Sequence, residues 1–83
     1  NARGKVQFEK GFARLGLKFW PTHANFILVD VGRDGREVFV ALQKLGVITR
    51  PMAGYGLATH LRISIGAPEE NRRCLAALAT ALG

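Results

Sequence analysis

The stretch Asn25-Phe26-Ile27-Leu28-Val29-Asp30-Val31 decides the fold. It is almost continuously apolar and rich in β-branched side chains, a pattern typical of a strand that is covered on both faces. We therefore expect this strand to lie inside a layered structure, with helices on one face and a further covering layer on the other.

The residues after this strand predict a helix. Asp34, followed three residues later by Glu37, resembles a capping box at a helix N-terminus. The apolar positions that follow have the i, i+3, i+4, i+7 spacing of a buried helical stripe before a terminating glycine. These positions are Val38, Ala41, Leu42 and Leu45, and the glycine is Gly46.

Two further strands and two further helices complete the pattern. The strands are predicted at Val47–Arg50 and at His60–Ile65, and in the second of these apolar and polar residues alternate with period two. A first helix is predicted over Lys5–Leu15, and Lys18–Pro21 is interpreted as a short extended connection. The last helix begins at Pro68, and its apolar face comprises Cys74, Leu75, Leu78, Ala81 and Leu82.

This order of elements predicts a single α+β domain over residues 1–83. A right-handed crossover through the second helix would leave room for the last strand to insert antiparallel between the first two. The prediction is a three-stranded, mainly antiparallel sheet of split β-α-β type, in the spatial order first, third, second. The helices should pack on one face.

The net charge of +6 makes nucleic-acid binding an alternative to weigh. On one helix, Lys10, Arg14 and Lys18 would form a basic stripe at i, i+4, i+8. The basic residues are nevertheless spread along the whole chain, and a solvated face is the favoured interpretation, ahead of a small basic RNA- or protein-binding module.

Cys74 is the single cysteine, which excludes an internal disulfide and is typical of a reducing compartment, so cytoplasm is predicted. No apolar stretch is long enough to span a membrane. The chain begins with Asn1 rather than methionine, and we expect it to be part of a longer protein.

Two arginines are the strongest candidates for a binding site. Arg50 ends one predicted strand and Arg62 begins the next, so an antiparallel pairing would place both at the same end of the sheet as a double anion site. Because side chains alternate between the two faces of a strand, Arg62 should lie on the face opposite the apolar one that the helices cover. The alternatives for Arg62 are an ion pair with Asp30, or an alkyl chain that lies on apolar surface while the guanidinium group reaches water. The alternative for Arg50 is a structural role without a ligand.

Other candidates are weaker. His23 and His60 have no partner at metal-ligand spacing, so no metal site is predicted. Neither a serine nor Cys74 has a visible base, so no catalytic nucleophile is expected. The loop between the last two strands contains Gly54, Tyr55 and Gly56 and is a possible active-site loop, although glycines there more often serve backbone geometry.

Four segments together resemble the C-terminal small domain of histidinol-phosphate aminotransferases. The strand Leu61-Arg62-Ile63-Ser64-Ile65-Gly66 is similar to that of many class I and II aminotransferases, and Arg50-Pro51-Met52-Ala53-Gly54-Tyr55-Gly56 narrows the resemblance. The other two segments are Ala24-Asn25-Phe26-Ile27-Leu28-Val29-Asp30 and Pro68-Glu69-Glu70-Asn71. Thr59-His60 departs from the usual end of the family's loop.

The resemblance implies the small domain of a fold-type I, pyridoxal-phosphate enzyme, usually a homodimer. Its reaction converts histidinol phosphate and 2-oxoglutarate to imidazole-acetol phosphate and glutamate. By this resemblance Arg62 would hold a substrate carboxylate and Arg50 the phosphate of histidinol phosphate. The cofactor's lysine and aspartate would lie in an absent large domain, so this piece alone should bind no cofactor and be inactive. A related aminotransferase or a phospho-amino-acid decarboxylase is the alternative within the superfamily.

Overall fold

The computed structural model describes residues 2–21 and 24–83. Its helices are α1 (Ala2–Arg14), α2 (Gly35–Lys44) and α3 (Pro68–Leu82). Its strands are β1 (Lys18–Pro21), β2 (Phe26–Asp30), β3 (Arg50–Pro51) and β4 (His60–Ser64). A single 3-10 turn spans Ala53–Tyr55 within the β3–β4 connection.

The strands form one sheet in the order β1-β2-β4-β3, and all neighbours are antiparallel. The predicted insertion of the last strand between the two before it is confirmed. The prediction of three strands is wrong, because Lys18–Pro21 pairs with β2 along its length, from Lys18 opposite Asp30 to Pro21 opposite Ile27. A proline is tolerated there because an edge strand has one side without a ladder partner.

The second predicted strand, Val47–Arg50, is also displaced. The observed β3 is the short pair Arg50–Pro51. The backbone N–H of Val47 donates to the carbonyl of Leu42 at the end of α2, at 2.9 Å, so it closes the helix instead of joining the sheet. The strand that carries the first candidate arginine is therefore a short edge strand.

The core lies between one face of the sheet and the three helices, as predicted. Alternate residues of the two central strands are fully or almost fully buried against α1, α2 and α3. From the sheet these are Ile27, Val29, Leu61 and Ile63, and from the helices Phe8, Phe12, Val38, Leu42, Cys74, Ala77 and Leu78. The expectation that β2 is covered on both faces is not met by the described residues, because its other positions are only half-buried.

Capping residues fix where α2 and α3 begin. The carboxylate of Asp34 accepts a hydrogen bond from the N–H of Arg36 at 3.1 Å, as expected for an N-cap. Glu70 accepts from the N–H of Ala67 at 2.9 Å at the start of α3. The predicted stripe of α2 is wrong at its end, since Leu45 is 46% exposed where the chain turns away after the helix.

Asn71 is a buried polar residue that joins three elements. Its side-chain oxygen accepts from the N–H of Gly66 at 2.9 Å, and its amide donates to the Gly66 carbonyl at 3.0 Å and to Gln7 at 3.1 Å. With 1% of its surface exposed, it needs these partners to offset desolvation. Asn71 thus links α1, the segment after β4, and α3.

Candidate anion-binding site

Arg50 and Arg62 are directly opposite each other on β3 and β4. Residues opposite in an antiparallel pair project from the same face, so both guanidinium groups belong to one side of the sheet. This face is opposite the helices, because Arg62 alternates with the buried Leu61 and Ile63. The predicted proximity of the two arginines at one part of the sheet is confirmed.

Arg62 lies on an aromatic surface. Its guanidinium carbon is 4.1 Å from the centre of the Phe26 ring, within the range of a cation–π contact. Its cross-strand partner on β2 is Leu28, which is half-buried. The Arg62 side chain therefore lies against apolar groups, which restricts its motion. Its hydrogen-bond donors stay available.

The alternative pairing of Arg62 with Asp30 is not what the structure shows. Asp30 lies opposite His60, and its carboxylate oxygen is 3.9 Å from the His60 Nε2 atom. The other oxygen accepts from the N–H of Gly32 at 2.9 Å. Within residues 2–21 and 24–83, neither Arg62 nor Arg50 forms an ion pair. Both cations thus lack an internal counter-charge in the described part of the chain.

The two arginines line a shallow cleft of about 190 Å³. Its other lining residues are Ile48, Thr49 and Ser64. Thr49 is buried, and its Oγ1 atom has no hydrogen-bond partner among the described residues. Because two cations and hydroxyl-bearing residues surround a small open volume, the cleft suits a compact anion such as a carboxylate or a phosphate.

The candidate loop residues Gly54, Tyr55 and Gly56 follow Arg50 closely in sequence, but they do not line the cleft. Tyr55 is 71% exposed, and Gly56 has φ +78°, a conformation that favours glycine. The N–H groups of Tyr55 and Leu57 both donate to the Met52 carbonyl, at 3.0 and 3.2 Å, which fixes the turn. The structure therefore supports the backbone interpretation of Gly56 and leaves Tyr55 free to contact a further surface.

A second cluster on the open face was missed from the sequence. The His60 ring centre is 5.5 Å from that of Trp20, and its Nδ1 atom is 3.4 Å from the Thr59 hydroxyl. The hydrogen bond from Gly32, followed by the Thr59 hydroxyl and the charges of His60 and Lys18, lowers the pKa of Asp30. Trp20 could not be assigned to this cluster before β1 was known to join the sheet. His23 lies outside the described residues.

The described residues show neither a metal-binding cluster nor an activated cysteine. No group of three or more His, Cys, Asp or Glu residues there is arranged to hold a metal ion. Burial raises the pKa of the Cys74 thiol to about 11, so at neutral pH it is protonated and a poor nucleophile. Among the same residues, no helix has the length and apolarity needed to cross a membrane.

The basic stripe predicted for nucleic-acid binding is broken. Lys18 begins β1 opposite Asp30 on the open sheet face, whereas Lys10 and Arg14 are on α1. The three side chains therefore do not form one continuous helical surface, which weakens the RNA-binding alternative.

Comparison with known proteins identifies the family. The family described as "Aminotransferase class I and II" matches residues 3–78. This chain is a class I and II aminotransferase sequence. The match includes both arginines, the intervening loop and most of α3.

The curated relatives of this aminotransferase chain include histidinol-phosphate aminotransferases. Histidinol-phosphate aminotransferase 2 of Pseudomonas aeruginosa is 54% identical over 82 residues, which are 99% of this chain and 22% of that protein. The enzyme of Symbiobacterium thermophilum is 50% identical over 80 residues, 96% of this chain and 22% of that protein. The chain thus spans about a fifth of the length of these relatives. Its position at their C-terminal end stays a prediction.

Solved aminotransferases share the fold. The histidinol-phosphate aminotransferase of Clostridium acetobutylicum has a TM-score of 0.86 at 22% identity, over 98% of this chain and 26% of that one. A Thermus thermophilus aspartate aminotransferase variant has a TM-score of 0.84 at 26% identity, over 96% and 23%. The α+β architecture of this aminotransferase chain therefore matches a part of these larger enzymes.

Aminotransferases of this family use pyridoxal phosphate. A lysine must bind this cofactor covalently, and none of the four lysines lines the cleft between Arg50 and Arg62. Lys10, Lys18 and Lys44 are solvent-exposed, and Lys5 is half-buried on α1. The residues present fit an anionic group of a substrate, but not the covalent anchoring of the cofactor.

Proposed function

We propose that this chain is the small, substrate-binding domain of a histidinol-phosphate aminotransferase. The parent enzyme would transfer an amino group from histidinol phosphate to 2-oxoglutarate, giving imidazole-acetol phosphate and glutamate. The observation that carries the proposal is the pair Arg50 and Arg62, two direct cross-strand cations without an internal counter-charge in the described residues. The names of the relatives that are 50–54% identical support the choice of substrate.

Arg62 is assigned to a substrate carboxylate. It lies on a central strand, half-buried, with its guanidinium group against the Phe26 ring. This support limits the number of positions that the group can adopt, and a planar guanidinium group can contact both oxygens of a carboxylate at once. Since glutamate and 2-oxoglutarate both have carboxylates, Arg62 can serve the half-reaction that they share.

Arg50 is assigned to the phosphate of histidinol phosphate. It is exposed on the edge strand β3, next to Arg62 but farther from the centre of the sheet. A phosphate has more oxygens and more charge than a carboxylate, and an arginine at the edge can approach it without displacing the group bound at Arg62. The loop with Gly54, Tyr55 and Gly56 would contact the remainder of the enzyme's active site.

The rest of the active site would come from outside these 83 residues. The lysine that binds the cofactor and the acid that pairs with its pyridinium nitrogen are expected in a large domain, and a second subunit would complete a homodimer. The open face with Arg62 would then be covered by that large domain. The chain alone should have no transaminase activity, and the cytoplasm is the proposed compartment.

The test is kinetic. The longer protein that contains this chain should transfer an amino group from histidinol phosphate to 2-oxoglutarate. Replacing histidinol phosphate with histidinol, which lacks the phosphate, should lower kcat/KM strongly, and Arg50→Gln should abolish that difference. An enzyme that prefers the phosphate-free compound would contradict the assignment.

A different substrate within the same family is the second candidate. The likeness to Thermus thermophilus aspartate aminotransferase favours it, since that fold match is almost as high as the match to a histidinol-phosphate enzyme. In that case Arg62 would still bind a substrate carboxylate, and Arg50 would have another role. Activity with aspartate in place of histidinol phosphate would select this candidate.

A further inference from the structure

A groove of about 410 Å³ runs between α1 and α3, on the helical side of the molecule and away from the two candidate arginines. It follows α1 from Gln7 to Arg14, a length of about 10 Å at the rise of an α-helix, and continues to Leu15. Its lining includes Lys10, Arg14, Leu15, Arg72, Leu75 and Ala76.

The floor of the groove is apolar. Gly11 is buried against α3, and a Cβ atom added there would lie 2.5 Å from Leu75 Cδ2. Leu75 on α3 and Leu15, directly after α1, are only partly buried, so apolar surface on both sides of the groove remains accessible to a partner. This is the shape that a third helix fills when it packs against two others.

The rim of the groove on α1 is basic. Lys10 and Arg14 are exposed and one turn apart on α1, and within residues 2–21 and 24–83 neither of them forms an ion pair. Across the groove Arg72 is held by an ion pair with Glu69 on its own helix. Two cations that form no ion pair among the described residues thus flank the apolar floor on the α1 side, whereas on the α3 side the charge of Arg72 is balanced by Glu69.

We propose that this groove, termed the α1/α3 groove, binds an acidic amphipathic helix of another protein. Its apolar side chains would pack on Leu15, Leu75 and Ala76, and its carboxylates would face Lys10 and Arg14 on the α1 rim. This is helix-in-groove recognition, in which apolar anchors supply affinity and complementary charge supplies selectivity.

A second copy of this chain is a poor occupant. α1 has four basic residues and one acidic residue, α2 has two and one, and α3 has two of each. None of the three helices is therefore net acidic, and α1 or α2 would bring further positive charge to a basic rim. The cost of that repulsion favours an acidic partner over self-association.

Fluorescence anisotropy with a designed peptide tests the proposal on the longer protein that contains this chain. The probe is a labelled helix of about 14 residues with a leucine stripe flanked by glutamates. Charge reversal on one rim, Lys10→Glu with Arg14→Glu, should raise its Kd at least about tenfold. The matched control, Arg36→Glu with Lys44→Glu on α2, makes the same charge change outside the groove and should have little effect.

A second variant keeps the test decisive if the double substitution impairs folding. Ala76→Glu places one carboxylate in the exposed part of the groove, where α3 tolerates a glutamate, and should also weaken binding about tenfold. Circular dichroism verifies that the variants stay folded. Equal weakening by the α2 control, equally tight binding of a peptide flanked by lysines, or no binding at all would overturn the proposal. Concentration-dependent dimers that Ala76→Glu disrupts would instead assign the groove to a second copy.

Discussion

Arg50 and Arg62 face each other across β3 and β4, so the sheet places two like charges at directly opposite positions. Such a pair costs about 0.2–1 kcal/mol relative to neutral neighbours. Neither cation has an ion-pair partner in the part of the chain that the structure describes. An arrangement that costs stability and is open to solvent supports the proposal of a site for an external anion.

The first prediction separates the two arginines in the full-length enzyme. Arg50→Lys and Arg62→Lys each keep a positive charge but lose the planar fork, and the loss of a contact to a charged group is worth about 1.5–3 kcal/mol, roughly one to two orders of magnitude in kcat/KM. Arg50→Lys should slow the histidinol phosphate half-reaction most. Arg62→Lys should slow the glutamate half-reaction most.

Single-turnover measurements of each half-reaction check this pattern. Equal slowing of both half-reactions by Arg50→Lys would show that Arg50 does not bind the phosphate. Arg36→Lys, a change of the same kind at an exposed position of α2, serves as the control and should leave both half-reactions unchanged.

The second prediction concerns the buried hydrogen-bonding residue Asn71. Asn71→Ala removes three hydrogen bonds, and the N–H and carbonyl of Gly66 then lack their Asn71 partners. We expect the free energy of unfolding to fall by about 2–4 kcal/mol. Chemical denaturation measures it, and Gln7→Ala, which removes one of these bonds together with the exposed bond from Gln7 Nε2 to the Pro68 carbonyl, should cost less. A loss for Asn71→Ala no greater than that for Gln7→Ala would contradict this role.

The third prediction uses the hydroxyl of Thr49. Its Oγ1 atom is buried and has no partner among the described residues, so the hydroxyl pays a desolvation cost without compensation. Thr49→Val replaces it by a methyl group of the same shape and should stabilise the chain by about 1 kcal/mol. Thr49→Ser keeps the hydroxyl, loses the methyl group and should destabilise. A valine variant less stable than the parent would indicate that the hydroxyl is hydrogen-bonded in solution.

The fourth prediction is a pH dependence that originates at Asp30. The Gly32 N–H, and after it the Thr59 hydroxyl and the charges of His60 and Lys18, lower its pKa below the unfolded value of 3.8. A carboxyl group with a lowered folded pKa stabilises the fold above its unfolded pKa, and this contribution is lost as the pH falls through the folded pKa. The effect should therefore appear only in acid.

The measurement is the free energy of unfolding between about pH 7 and about pH 2. Asp30→Asn removes the titrating group but keeps its shape, so this variant should be less stable than the parent at neutral pH and should lose less stability in acid. Parallel pH profiles for the two proteins would exclude a contribution from Asp30.

Local patterns were sufficient to predict much of this structure. The spacing of Phe8 and Phe12, the Asp34 cap and the alternation around Leu61 and Ile63 predict helices and strands that are observed. These features depend on residues close in sequence, since backbone geometry fixes the periods of 3.6 and 2. The antiparallel insertion of β4 followed from the general rules of strand connection.

Tertiary structure alone decided the rest. The sequence does not show that Lys18–Pro21 pairs with β2, because a short segment becomes a strand only when a partner offers its backbone groups. The cluster of Trp20, Asp30 and His60 exists only through that pairing and the one between β2 and β4. By itself the sequence determined the three helices, the two central strands and the candidate arginines. Only the register of the strands, which depends on long-range hydrogen bonds, made Arg50 and Arg62 direct neighbours and left Arg62 on Phe26 rather than beside Asp30.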